Sequence, residues 1–222
     1  MKIAVIGAGI FGVSISFTLA HDHTIDLYER NSDILMAASD VNQCRVHRGY
    51  HYPRSDETVL ELLDANTNFT NEFNDAIMSN TTIYYAIAKN DSLTTSTEYI
   101  EFCKRNNLEY DICQPSFLND DLVDLCIKVD EHLFDHDKLK QICWNKLKSS
   151  NVNVLLNTEA TQTIFDDYDL VIICTYGDWK HLVKDQTKLK QDFQFEVCEK
   201  VFVTLPENLD PDAYINQKGK ES

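Results

Sequence analysis

The sequence predicts an α/β fold built on a parallel sheet, and three observations carry that prediction. Residues 2–6 (KIAVI) are an apolar, β-branched run of the kind a strand buried on both faces requires. They run straight into Gly7-Ala8-Gly9-Ile10-Phe11-Gly12, followed by apolar residues at helical spacing through residue 21. Residues 24–29 (TIDLYE) return to strand character and end on Glu29. Strand, glycine loop, helix and acidic strand end make a Rossmann-like βαβ unit with the pattern of a dinucleotide-binding site.

The elements follow in order. Residues 37–54 lack periodicity and are polar, which predicts a long functional loop. Val59, Leu62, Leu63, Phe69, Phe73 and Ile77 predict an amphipathic helix over 55–78. Residues 82–89 predict a strand, 96–105 a helix stopped by Asn106 and Asn107, and 123–129 a strand. A helix is expected over 135–147, with Asp135 or Asp137 near its cap. Strands are expected at 152–156, 160–165, 170–174 and 194–204, the third entering a Thr-Tyr-Gly turn. Residues 206–222 are polar and shapeless. Residues 1–80 with 129–190 are expected to form the nucleotide-binding domain, and 81–128 with 191–222 a smaller, incomplete β-rich domain.

The chain has 222 residues, 36 of them acidic and 20 basic, and a formal net charge of −16. Such a charge repels phosphodiester backbones and anionic lipid, so nucleic acid and membrane surface are not expected partners. A small-molecule substrate is. The apolar run that starts the chain has too weak a basic head for a signal peptide, and nothing else approaches a membrane span. The seven cysteines form no CxxC pair, and several sit in apolar runs. They read as small buried hydrophobes in a reducing, cytoplasmic setting, with neither a metal site nor a disulfide framework.

In the glycine loop, Gly7 makes the tight turn, Gly9 lets a pyrophosphate approach the backbone, and Gly12 lets the helix pack close to the strand. Glu29 suits an unphosphorylated ribose and would repel a 2′-phosphate, which disfavours NADP. The loop alone leaves FAD and NAD both open. His47 and His51 are four residues apart, but Gly49 and Pro53 argue against the helix a metal pair would need. Arg45, Arg48 and Arg54 form a basic cluster suited to cofactor phosphate or a substrate carboxylate, or to solvated loop charge. His132 and His136, among Asp130, Glu131, Asp135 and Asp137, read as a solvated helix cap rather than a cation site.

The segment Ser39 to Tyr52, Ser-x-x-Asn-x-x-x-Val-His-x-Gly-Tyr-x-Tyr, resembles the D-amino-acid-oxidase-like superfamily of FAD-dependent oxidoreductases, on its 2-hydroxyglutarate oxidase and glycerol-3-phosphate dehydrogenase side. Residues 170–177 (LVIICTYG) resemble the strand by which that family returns to FAD. The resemblance covers residues 1 to about 204. It implies FAD as cofactor, with Gly7, Ala8, Gly9, Ile10, Phe11 and Gly12 at the pyrophosphate, Glu29 at the adenosine ribose and Arg30 flanking the adenosine. Ala38, Ser39 and Asn42 would lie along the pyrophosphate and ribityl chain, Ala160 would contact adenine, and Thr175 and Gly177 would close the site. Arg45, Val46 and His47 would lie near the flavin ring, and Arg45, His47 and Tyr50 are the implied catalytic residues. The implied reaction is oxidation of a CH–OH or CH–NH group of a small, carboxylate-bearing substrate by hydride transfer to flavin N5. Members of that family usually run well past 300 residues, so a C-terminally truncated chain is expected. An NAD-dependent dehydrogenase, and an inactive or partner-dependent nucleotide-binding fragment, are the competing expectations.

Overall fold

The computed structural model describes residues 1–183 and 213–218. The chain opens with β1 (Lys2–Ile6), α1 (Ile10–Leu19), β2 (Thr24–Tyr28), β3 (Arg45–Val46) and α2 (Asp56–Phe73). It continues with β4 (Ile77–Met78), β5 (Thr82–Ala88), α3 (Ser96–Arg105), β6 (Tyr110–Ile112) and β7 (Val123–Val129). The remaining elements are β8 (His132–Phe134), α4 (His136–Ser149), β9 (Asn153–Leu155), β10 (Leu170–Ile173) and β11 (Ala213–Lys218). Contacts divide the chain into two units, residues 1–43 with 136–201 and residues 44–135 with 202–222. Residues 44–80 therefore pack with the second unit, whereas the sequence assigns them to the first.

The first unit is a parallel sheet in the order β10-β1-β2-β9. Four of the five residues of β1 are buried, as a strand between two covered faces demands. The chain leaves β1 toward β2 on one side, while β10 pairs on the other, so the sheet changes direction at β1. Ligands of open α/β sheets bind in the crevice at such a point, beyond the carboxyl ends of the strands. Helix α4 buries Leu139, Cys143 and Leu147, and carries Lys146 and Lys148 in its last turn, where the helix dipole favours cations.

The second unit holds a mixed sheet, β11-β5-β7-β6, and a small antiparallel sheet, β3-β8-β4. Its core joins Tyr50, Val59, Tyr85, Tyr99, Phe102 and Ile127. Helix α2 is capped by the Ser55 hydroxyl, which accepts from the Thr58 N–H at 3.3 Å, and starts with Asp56 and Glu57 at the positive end of its dipole. Helix α3 has a full capping box, Thr95 with Glu98, and ends at Asn106 and Asn107, the latter left-handed at φ 52°. Val59 of α2 is wholly buried in this core, which explains why the 44–80 segment belongs here.

Three expectations are corrected. The strand expected at 160–165 is instead a 3₁₀ helix, Gln162–Asp167. The Ile164 N–H turns back to the Thr161 carbonyl, and the hydroxyls of Thr161 and Thr163 bond each other, so local bonds replace a ladder. Residues 213–218, expected to be shapeless, form β11, parallel to β5 from Ala213 opposite Thr82 to Lys218 opposite Ile87. Backbone pairing along an existing sheet, rather than an apolar run of its own, supports that strand. The helix expected to reach residue 78 ends at Phe73 and gives way to a 3₁₀ turn and β4. The strand expected at 194–204 lies outside the described residues. Among those described, no helix is long and apolar enough to cross a membrane.

Gly49 joins two constraints at one residue. Its φ is 104°, and a Cβ there would stand 2.7 Å from Val59 Cγ1. Gly49→Ala should lower stability by about 1–3 kcal/mol, read as a lower urea midpoint, because it adds overpacking to backbone strain. Gly49→Ala made in a Val59→Ala background should still destabilise, since the space is relieved and the φ is not. Equal midpoints for Val59→Ala and the double variant would contradict the strain argument.

Candidate functional site

The glycine loop joins the end of β1 to the start of α1, and each glycine answers a different close approach. Gly7 has φ 99°, its N–H donates to the Tyr28 carbonyl at 2.8 Å, and a Cβ would meet the Cys174 carbonyl oxygen at 2.7 Å. At Gly12 a Cβ would meet the Gly7 carbonyl oxygen at 1.8 Å, so the helix crosses the strand end at a distance only glycine permits. Gly9 is the N-cap of α1 and has no side chain to cap it. The Ser39 hydroxyl takes that role from another segment, accepting from the Ile10 N–H at 3.0 Å.

Around this loop lies a cavity of about 280 Å³, formed entirely within the first unit. Of the residues expected at the cofactor, Gly7, Gly9, Ile10, Phe11, Glu29, Arg30, Ala38, Ser39, Asn42, Ala160 and Thr175 line it. Ala8, Gly12, Val46 and Gly177 are not in its wall. Ala8 is wholly buried and works through its backbone: its N–H donates to Glu29 Oε2 at 2.8 Å, and its carbonyl accepts from the Leu35 N–H at 2.9 Å. Glu29 is buried, and its other oxygen accepts from the N–H and the side-chain amide of Asn31, both at 2.8 Å. The carboxylate thus ties the end of β2 to the glycine loop, and Glu29 forms part of the cavity wall.

Three further groups shape the wall. Thr175 Oγ1 is buried and has no hydrogen-bond partner among the described residues. Arg30 pairs with Asp178 at 2.7 Å, and His181 Nδ1 lies 3.3 Å from the other Asp178 oxygen. Burial pushes the Cys174 thiol above its usual range, so it stays protonated. Tyr28, Asn31, Thr158, Tyr176, Asp178 and His181 also line the cavity and were not foreseen. Tyr176 and Thr158 lie one or two residues from foreseen positions, so their neighbourhood was legible. His181 lies in the 3₁₀ turn Lys180–Leu182 and Asp178 just before it, in a stretch for which the sequence carries no pattern.

The expected catalytic residues belong to the second unit. Arg45 is buried in the two-residue strand β3, and its guanidinium bonds Glu131 and the Tyr85 hydroxyl. Glu131 has a wholly buried side chain, accepts from the Tyr85 hydroxyl at 2.8 Å and from the Arg48 N–H at 2.7 Å. Tyr50 is wholly buried, and its hydroxyl donates to the Glu109 carbonyl at 2.5 Å. Burial, chiefly, pushes the ionisation of that hydroxyl far above its usual range. Arg45 and Tyr50 are therefore held by structural contacts within the second unit. Val46 is buried beside Arg45 in β3.

His47 keeps about a quarter of its side chain exposed, with Nδ1 4.0 Å from Glu131 Oε1 and its ring 5.7 Å from that of His51. The Tyr52 N–H donates to the Gly49 carbonyl, so this stretch is a turn and not the helix a metal pair would need. The solvated cap expected around His132 and His136 is corrected too. Glu131 is the buried ion-pair partner just described, while His136 is mostly buried, 3.5 Å from Asp40. Among the described residues no cluster suits a metal ion.

The chain is similar to known proteins. The family model described as FAD dependent oxidoreductase matches residues 2–187. An FAD-dependent monooxygenase of Fusarium mangiferae is 26% identical over 188 residues, covering 82% of this chain and 51% of its own length. The chain thus spans about half the length of that relative. Among solved structures, glycine oxidase from Geobacillus kaustophilus superposes with a TM-score of 0.58 at 14% identity, over 71% of this chain and 47% of its own. L-α-Glycerophosphate oxidase from Mycoplasma pneumoniae, solved with FAD bound, gives 0.51 at 16% identity, over 72% and 45%. At these identities the two structures support the fold.

The Arg45–Glu131 pair should behave as a buried ion pair. Arg45→Met, which strands the carboxylate, is expected to cost about 3–5 kcal/mol in urea denaturation. Arg45→Met combined with Glu131→Leu and Tyr85→Phe should recover part of that loss, because no buried charge remains. A single variant as stable as the parent would show that the pair is solvated.

Proposed function

Because the chain belongs to the family of FAD dependent oxidoreductases, we propose that its first unit binds FAD and that it serves oxidation of a CH–OH or CH–NH group on a small, carboxylate-bearing molecule. The observation that carries this reading is a glycine loop and helix start opening on one cavity with Glu29 and Thr175. The residues present fit the adenosine-diphosphate half of the cofactor. Gly9 leaves room where a Cβ would crowd Ser39, 3.3 Å away, and the buried Thr175 hydroxyl lacks a partner among the described residues. At about 280 Å³ the cavity is near the lower end of the roughly 300–1,000 Å³ of small-molecule sites, which suits part of a dinucleotide.

FAD supplies the hydride acceptor, flavin N5, which no side chain offers. In this reading the N–H groups at the start of α1 hold the pyrophosphate, where the helix dipole favours negative charge. Glu29 accepts from the adenosine ribose, using lone pairs beyond those given to Ala8 and Asn31. Thr175 donates its hydroxyl proton to a cofactor oxygen. Arg30, neutralised by Asp178, flanks the adenosine as a flat guanidinium rather than as a free cation. His47, the exposed ring of the expected catalytic set, orients the substrate or takes its hydroxyl proton.

Denaturing the purified protein should release FAD, identified by chromatography against standards. Release of FMN, which lacks the adenosine half, or of NAD would overturn the reading. Anaerobic mixing with 2-hydroxy acids, amino acids and polyol phosphates should bleach the flavin band with one class, and no bleaching by any would remove the substrate assignment.

Thr175→Val offers a sharper measurement. It should weaken FAD binding about tenfold, the effect of one hydrogen bond of ~1.4 kcal/mol. The melting temperature of the cofactor-free protein should not fall, because the lost hydroxyl bonds nothing among the described residues. Unchanged FAD affinity would take Thr175 out of the site.

A further inference from the structure

The geometry points to Cys113 and Cys126 as a redox modification site, which a hydroperoxide converts to a cross-strand disulfide. The inference is independent of the FAD reading. Cys113 follows β6 directly, and Cys126 lies in β7. These strands pair antiparallel with Tyr110 opposite Val129, Asp111 opposite Lys128 and Ile112 opposite Ile127. One more step in that register sets Cys113 opposite Cys126, and the Cys113 N–H donates to the Cys126 carbonyl at 3.0 Å. The two sulfurs are 3.8 Å apart, and both cysteines are free thiols.

Directly opposed residues in a hydrogen-bonded antiparallel pair have Cα atoms about 5.5 Å apart, inside the ~4.4–6.8 Å that a disulfide spans. Closure to a bond of about 2.05 Å needs the sulfurs to move by a little under 2 Å in total. Two features favour that movement. Strand β6 is three residues long and, among the described residues, sits at the edge of its sheet, paired on one side only. Cys113 is half-buried, so its side chain has room to turn, whereas Cys126 is fixed in the sheet at 5% exposure.

The asymmetry in exposure orders the chemistry. Burial, and then the neighbouring Cys113, push the Cys126 thiol up to about 12, so it is not the sulfur that meets the oxidant. Cys113 attacks the hydroperoxide, the O–O bond breaks, and Cys113 becomes a sulfenic acid with release of water or an alcohol. The Cys126 sulfur then attacks the Cys113 sulfur, loses its proton, and displaces the hydroxyl as a second water. Two thiols lose two electrons and two protons, and the peroxide bond takes up both electrons. The product closes the 114–125 segment into a loop and fixes β6 to β7. Tyr110, Asp111, Lys128 and Val129 of these strands line a separate cavity of about 740 Å³ within the second unit, so the bond stiffens one of its walls. Sequence spacing gave no sign of the pair, because twelve residues of chain separate two positions that only the register brings together.

The test treats the folded, fully reduced protein with a small excess of hydrogen peroxide, alkylates the remaining thiols under denaturing conditions, and maps the peptides by mass spectrometry. The expected result is one linked peptide pair containing Cys113 and Cys126, lighter by two hydrogens than the sum of its parts. Dithiothreitol should reverse the link, and the oxidised protein should melt several degrees higher. Cys113→Ser should abolish the link. Cys126→Ala should stop at a Cys113 sulfenic acid that dimedone traps. Over-oxidation of Cys113 to a sulfinic acid while Cys126 remains alkylated would overturn the inference. So would a link between any other cysteines in the folded protein. The wild-type peptide map decides the question even if a variant folds poorly.

Discussion

The contact between the Gly12 α-carbon and the Gly7 carbonyl is the constraint on which the first unit rests. Any side chain at Gly12 would have to occupy the position of that oxygen. A helix set this close directs its first amides over the end of β1, and only there does its dipole act on a ligand at the switch in strand order. The same approach requires Gly7 to turn with φ near 100°, tight against the end of β10. The cavity, the helix start and the neighbouring strand are thus fixed together by two residues without side chains, and Gly9 supplies the remaining opening.

Two buried carboxylates show how differently the units use negative charge. Glu29 is satisfied by three N–H donors, from Ala8 and from the backbone and amide of Asn31, all neutral. A carboxylate held by three donors has remaining lone pairs available to a hydroxyl ligand. Glu131 is instead neutralised by the Arg45 guanidinium and closed off by the Tyr85 hydroxyl and the Arg48 N–H. It organises β3 and the turn that carries His47, and has little capacity left for a ligand. The distinction between a carboxylate that binds and one that braces lies in its partners rather than in its burial.

That distinction also explains what the sequence could and could not show. The βαβ unit, the glycine loop, Glu29 and helices α3 and α4 rest on local signals: periodicity, caps and glycine spacing. They were legible for that reason. Strands β3, β4 and β8 are two or three residues long and exist only through one another, so no local pattern marks them. Arg45 invited a ligand role because its partner stands 86 residues away. Tyr50 belongs to a motif that resembles a flavoenzyme segment, yet its ring packs 5.8 Å from that of Tyr85 in a core formed by α3 and the mixed sheet. Within that motif, Gly49 is explained by packing against Val59 rather than by chemistry.

The charge balance sets a last condition on the site. A chain with net charge −16 opposes a pyrophosphate at long range, and the cation in the cavity wall, Arg30, is held by Asp178. Attraction must then come from groups that carry partial charge without a counter-ion, and backbone N–H groups at a helix start are that kind of donor. The Ser39 hydroxyl on the Ile10 N–H follows the same logic: it is an oxygen acceptor at the point where the helix favours one. Such dipoles act only over about a turn of helix and lie beneath the surface, where salt screens them less than exposed lysines. Recognition built this way depends on the exact seating of the loop more than on the overall field of the protein. It therefore leads back to the glycine contact that sets the loop in place.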